Sequence, residues 1–194
     1  FSLLGNPLIS SIPSSFCYNC PIMAGPVKEG SIEIPSAEID ILATYGLEEL
    51  DRRLRSVTIQ GTNTLHPYNS SLITIEEIPP SQLKPCAFYI LNGNLEFQRR
   101  LRGALLQKGI DTLHLTREVA MVEFQWGELK ETISPPVVEL SEDDDGYPLV
   151  ITDGLHRVTL AKENFEPSVS AVIIKNTAAP LPVLPVEWTE VKRV

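Results

Sequence analysis

Apolar residues recur along this chain with two different periods, and the change from one to the other marks out its elements. The first 35 residues keep neither period: Pro7, Pro13, Pro21, Pro26 and Pro35 punctuate them, with Gly5, Gly25 and Gly30 between. Each proline removes a backbone donor, so the stretch reads as irregular. From Ser36, suited to an N-cap, the residues Ile39, Leu42, Ala43, Leu47, Leu50 and Leu54 fall at near-helical spacing and predict a helix. Gly46 lies inside that helix and can split it in two, and Arg52, Arg53 and Arg55 lie on its other face. After a turn-rich connection, Leu72–Ile78 predicts a strand closed by Pro79-Pro80, and Cys86–Leu91 is a second apolar run of strand length. Asn94 is placed to cap a helix with Phe97, Leu101, Ala104 and Leu105 in one stripe, stopped at Gly109. Val119–Trp126 alternates in part and predicts a strand.

The last third is the most strongly patterned. Pro136–Leu140 predicts a short strand, Ser141–Gly146 an acidic turn, and Pro148–Thr152 an apolar strand that stops at Asp153-Gly154. Leu155–Asn164 then reads as a short helix and Ser168–Ile174 as a closing strand. Pro180, Pro182 and Pro185 predict an extended tail. The fold class expected is α/β of the α+β kind, a small mixed sheet flanked by helices. Residues 1–70 would form an irregular and helical N-terminal extension, 71–176 the domain proper, and 177–194 the tail.

Composition narrows the function. With 25 Asp+Glu against 16 Lys+Arg among 194 residues, the formal net charge is −9. A hydrophobic content of 43% excludes a disordered or collagen-like chain. No apolar run approaches the roughly 20 residues of a membrane span. Acidity argues against free-standing nucleic-acid binding, which phosphate neutralisation dominates. The arginines at 52–55 and 99–102 are the exceptions: two basic helix faces that could meet nucleic acid or nucleotide phosphates, with ordinary solvated faces as the alternative. Cys17, Cys20 and Cys86 are too few and too odd for a secreted disulfide framework, so a cytoplasmic setting is expected. Cys17 and Cys20 have half the spacing of a zinc or redox motif, but nothing completes it; the dense carboxylates of Glu142–Asp145 lack an EF-hand alternation. No metal site is therefore assigned.

The chemistry concentrates at Thr152-Asp153-Gly154-Leu155-His156-Arg157. A strand-to-helix junction exposes the first helical N–H groups, to which the helix dipole adds partial positive charge. Gly154 allows a tight turn and close approach. Basic residues at a helix N-terminus oppose the dipole, a cost that an anion resting there would offset. Two readings fit: a phosphate cradle, or a helix capped by Asp153 with Arg157 in a surface ion pair.

Ser134-Pro135-Pro136-Val137-Val138-Glu139-Leu140, the segment Tyr147–Arg157, its helix and Val169–Ile174 together resemble the ParB/sulfiredoxin-like superfamily. Its signature takes the forms GGCHR in sulfiredoxins, GERR in ParB partition proteins and DGxHR in related nucleotide-dependent enzymes, including free-serine kinases. Asp153-Gly154-Leu155-His156-Arg157 matches the DGxHR form. The likeness covers residues 72–175 loosely and 134–174 well. It implies that Thr152, Gly154, His156 and Arg157 bind ATP or a related nucleotide with Mg²⁺, and that Asp153 and His156 are the catalytic candidates. A small-molecule hydroxyl would be the second substrate, in phosphoryl transfer or nucleotide hydrolysis. Leu155 replaces the sulfiredoxin cysteine, which removes thiol chemistry, and the GERR form is absent. The acid–base residue would stand on another element, where Glu76, Glu77 and Glu96 are the ones to test, with surface placement the alternative. The competing classes are a DNA-associated regulator or nuclease, and a non-catalytic interaction module that keeps the fold.

Overall fold

The computed structural model describes residues 38–58, 65–140, 148–178 and 185–194. Its centre is a five-stranded sheet in the order β2-β9-β7-β8-β3, built from Leu72–Ile78 (β2), Leu83–Lys84 (β3), Val137–Leu140 (β7), Leu149–Asp153 (β8) and Val169–Lys175 (β9). β9 runs antiparallel to β2 and parallel to β7, and β8 runs antiparallel to β7 and parallel to β3. The fold is thus the α+β arrangement expected, and β2 keeps its expected bounds.

Both faces of this sheet are covered, which is why β9 reads as an unbroken apolar run rather than an alternating one. Its odd and even positions serve different cores. Val169, Ala171 and Ile173 pack with Leu155, Val158 and Ala161 of helix Leu155–Glu163 (α3). Val172 and Ile174 pack with Leu50 and Leu54 of helix Leu47–Arg55 (α1). Two cores thus lie back to back with β7 and β9 between them.

A third core lies under a smaller antiparallel sheet, Ile39–Tyr45 (β1), Met121–Trp126 (β5) and Leu129–Ile133 (β6), in the order β1-β5-β6. Val122, Phe124 and Trp126 point from it onto Leu101 and Leu105 of the helix Asn92–Leu106 (α2). Phe97 stacks at a tilt on Trp126, with ring centroids 5.9 Å apart.

Three expectations are corrected here. The first half of the helix expected from Ser36 is the strand β1, and only the part after Gly46 is helical. Ile39 to Tyr45 satisfies period two as well as period 3.6, and pairing with β5, from Ile39 opposite Trp126 to Tyr45 opposite Met121, selects the strand. Strand alternation, with Ile39, Ile41, Ala43 and Tyr45 inward, turns Leu42 outward, 44% exposed, which breaks the helical stripe. Second, the run Cys86–Leu91 contains only the strand Tyr89–Ile90 (β4), and Cys86 is buried just outside it. Third, Asn94 does not cap α2; Leu91 is the N-cap, and the Asn92 N–H is instead held at 2.9 Å by the Val194 carbonyl.

The C-terminal segment does more than extend. Residues Trp188–Glu190 form one 3₁₀ turn, and Lys192–Arg193 (β10) pair in parallel with β4. The Trp188 indole N–H donates to Leu83 O at 2.6 Å, under the Lys162 ammonium 4.5 Å from its ring centroid. The Cys17–Cys20 pair and the Ser141–Gly146 acidic turn lie outside the described residues, as do Pro180 and Pro182.

One buried carboxylate carries a stability consequence. Glu139, on the same face of β7 as Val137, is 2% exposed and accepts a hydrogen bond from the Tyr68 hydroxyl. Burial pushes its carboxyl from 4.5 up to about 7, against the opposing pull of that hydroxyl. The folded state therefore keeps a proton that the unfolded chain releases near pH 4.5, and stability falls as pH rises between those values. Glu139→Gln should match wild type at pH 4.5 and exceed it by about 2–3 kcal/mol at pH 8 in urea denaturation. A difference that does not change with pH would contradict this.

Candidate functional site

Strand β8 ends at Asp153, and the chain turns into α3 within one residue. Gly154 makes that turn in the left-handed region, φ +83° and ψ 21°, and is the N-cap of α3. No side chain caps the helix, so the alternative in which Asp153 does so does not apply. The N–H groups of Arg157 and Val158 return to the Gly154 carbonyl at 2.9 and 3.1 Å. Those of Leu155 and His156 have no acceptor within the helix.

Arg157 folds back over this turn. It is 9% exposed, and its Nη2 meets Asp153 Oδ2 at 3.3 Å. A Cβ on Gly154 would sit 2.7 Å from that Nη2 and 2.9 Å from Pro136 Cα, so the glycine is required by packing as well as by φ. Arg157 Nε and His156 Nε2 are buried without a hydrogen-bond partner, the pair of such side-chain atoms among the described residues. Orphaned buried polar atoms are rare and costly, of the order of 1–3 kcal/mol each. Burial first, and then the neighbouring Arg157, push the His156 imidazole down to about 4, with Asp153 opposing. At neutral pH the ring is uncharged and carries one N–H.

These residues open onto a cavity of about 510 Å³. Asp153, Gly154, Leu155, His156 and Arg157 form one wall, α2 contributes Asn94, Phe97 and Gln98, and the β5–β6 hairpin contributes Phe124, Leu129 and Glu131. The lining is mostly apolar with a few convergent polar groups, the usual make-up of a small-molecule site. A wider hollow of about 980 Å³ at the start of α1 contains no orphaned buried atom, and its Glu49 and Arg52 pair with each other.

The other residues singled out in the sequence are placed differently. Thr152 does not border the cavity; it falls at the register shift between β7 and β8, where it is buried and its hydroxyl donates to Val137 O at 3.1 Å. Glu76 pairs with Lys175, Glu77 accepts from Ser168 and Ser170 and faces His114, and Glu96 holds Arg99 and Arg100. The two basic faces do not stand open as charge patches. Glu49 holds Arg52 and Arg53, Asp51 holds Arg55, and Arg102 sits between Asp111 and Glu166, so nearby carboxylates offset both.

Glu131 was not among the expected residues, because β6 itself was not. Its signal was the two-residue connection Gly127-Glu128 between Trp126 and Leu129, with Gly127 at φ +61°, a turn typical of tight hairpins. Burial raises the Glu131 carboxyl above its ordinary value.

Fold and site together define an α+β protein in which an uncapped helix N-terminus opens onto a cavity. Residues 49–192 match the family model of the ParB CE domain, and the chain belongs to that family. No curated protein and no solved structure matches it. Among the described residues, no group of three or more His, Cys, Asp or Glu could hold a metal ion, and no helix is long and apolar enough to cross a membrane.

The packing over Gly154 can be tested against Gly109, which has φ +80° but nothing within 4 Å of an added Cβ. Gly109→Ala should cost only the backbone strain, about 1–2 kcal/mol. Gly154→Ala should cost clearly more in urea denaturation, by about another 1–3 kcal/mol for displacing Arg157 or Pro136. Equal losses would mean that the guanidinium is not held against the turn.

Proposed function

We propose that the cavity binds a nucleotide of the ATP type, with its phosphates against the N-terminus of α3, and that the protein uses it for nucleotide hydrolysis or phosphoryl transfer to a small-molecule hydroxyl. The observation that carries this reading is the pair of buried, partnerless nitrogens, Arg157 Nε and His156 Nε2, at the cavity wall. Phosphate oxygens are acceptors, and they would satisfy the Arg157 N–H, the free Leu155 and His156 amides, and the imidazole N–H in its matching tautomer. The helix dipole favours the same sign of charge.

Each residue has a distinct part in this reading. Arg157 binds phosphate and opposes charge that develops on it, held in place by Asp153. His156, neutral at physiological pH, orients a phosphate oxygen without adding a second positive charge beside Arg157. Phe97 supplies apolar surface for the body of the ligand, backed by the buried Phe124 ring, and helps exclude water from the reacting end. Mg²⁺ bound with the phosphates would neutralise part of their charge, with Asp153 as the lining carboxylate beside Arg157 able to approach it. The nucleic-acid alternative lacks comparable support, since the arginines it needs are ion-paired and the chain is acidic overall.

Calorimetric titration of ATP, CTP and GTP with Mg²⁺ tests the proposal. At least one should bind with micromolar affinity, about −8 kcal/mol, and Arg157→Ala and His156→Ala should each weaken it at least tenfold. Thermal denaturation of both variants separates lost binding from lost fold. Absence of binding by folded wild type for all three nucleotides would overturn the reading.

A further inference from the structure

The cavity contains a carboxylate that no ion pair holds: Glu131 accepts a hydrogen bond from the Thr132 backbone N–H but meets no cation among the described residues. Leu129, Glu131, Thr132 and Ile133 of β6 border the cavity, and Glu131 shares a strand face with Leu129 and Ile133. Directly across the hairpin, Glu131 lies opposite Phe124, a wholly buried ring that also borders the cavity. Among the described residues, no Lys, Arg or His stands within ion-pairing distance of Glu131. The other acids raised as candidates are all engaged: Glu76 by Lys175, Glu77 by His114 and two serines, Glu96 by two arginines, and, within the cavity, Asp153 by Arg157. A carboxylate beside an apolar ring, with no cation to hold it, is left to meet whatever occupies the cavity.

We propose that Glu131 is the acid–base residue of this cavity, the catalytic residue that takes the proton from the attacking hydroxyl. The assignment rests on the reading that the cavity holds a nucleotide. In the simplest reaction the attacking group is water. Glu131 removes its proton, the water oxygen bonds to the terminal phosphorus, and the bond from that phosphorus to the bridging oxygen breaks. The electron pair leaves with the nucleoside diphosphate, whose added charge faces Arg157 and the α3 amides, and Glu131 then releases its proton to solvent. Burial raises the Glu131 carboxyl above its ordinary value, against the Thr132 N–H, which makes it a stronger base than an exposed one. Such a base works only when ionised, so turnover should fall as pH drops through its titration.

The test uses the full chain with Mg²⁺ and ATP, CTP or GTP, following released inorganic phosphate across pH and binding by calorimetry. Glu131→Gln should keep its dissociation constant within about threefold, lose about 10²–10⁴ in kcat, and lose the acid limb of the pH profile. Glu131→Asp should keep that limb at a reduced rate. A Glu131→Gln variant with wild-type kcat and the same acid limb would overturn the assignment while leaving the nucleotide site intact. So would wild type that binds nucleotide yet releases no phosphate. Wild type that binds no nucleotide would overturn the site and, with it, this role for Glu131.

Discussion

The Arg157 guanidinium can lie over the start of α3 only because Gly154 has no side chain there. At the same residue the chain is in the left-handed region as it turns from β8 into α3, and Pro136, just before β7, closes in from the other side. A cation buried at the positive end of a helix is unfavourable by itself. Asp153 compensates one edge of the guanidinium, while Nε is left bare. The core beneath, with Leu155 and Val158 against Val138 and Ile151, supplies the burial that holds this arrangement in place.

The cavity owes its other walls to elements that do not belong to the central sheet. α2 is tethered at three points. Arg102 bridges Asp111 and Glu166, Arg99 reaches Glu163 beside the Arg193 pairing, and the Val194 carbonyl holds the first amide. Arg102 is the one most withdrawn from solvent, and a network of this kind contributes more than isolated surface pairs do. Arg99 and Arg102, two of the residues that suggested a basic surface, thus act as fasteners from α2 to Asp111, the end of α3 and the α3–β9 connection.

The β5–β6 hairpin gives the site its second half. Its inward face is apolar at Phe124, Leu129 and Ile133, which buries the hairpin against α2 and leaves Glu131 as the one acid on that face. A wall made by one sheet and a cradle made at the edge of another is a common way to place different chemical groups around one ligand. Here the nitrogens come from the turn at 154–157 and the carboxylate from the hairpin, more than twenty residues earlier in the chain.

Much of the sheet was legible in the residues themselves. Leu72–Ile78, the strand–Gly–helix junction at 149–163 and the run at 169–175 each have a pattern that only one element satisfies, and the signature at 153–157 announced itself by residue type. Where a pattern fitted two periods, as from Ile39 to Tyr45, only the partner strand β5 could choose between them, since pairing energy is non-local. Nor could the chain alone show that Thr152 faces the sheet, that the arginines are already paired, or that Glu131 reaches the cavity of His156 and Arg157. Sequence by itself determined the local turn chemistry and the apolar faces, because these depend on neighbours along the chain. Tertiary structure decided which polar groups are left without a partner, because burial and pairing depend on what distant segments bring into contact.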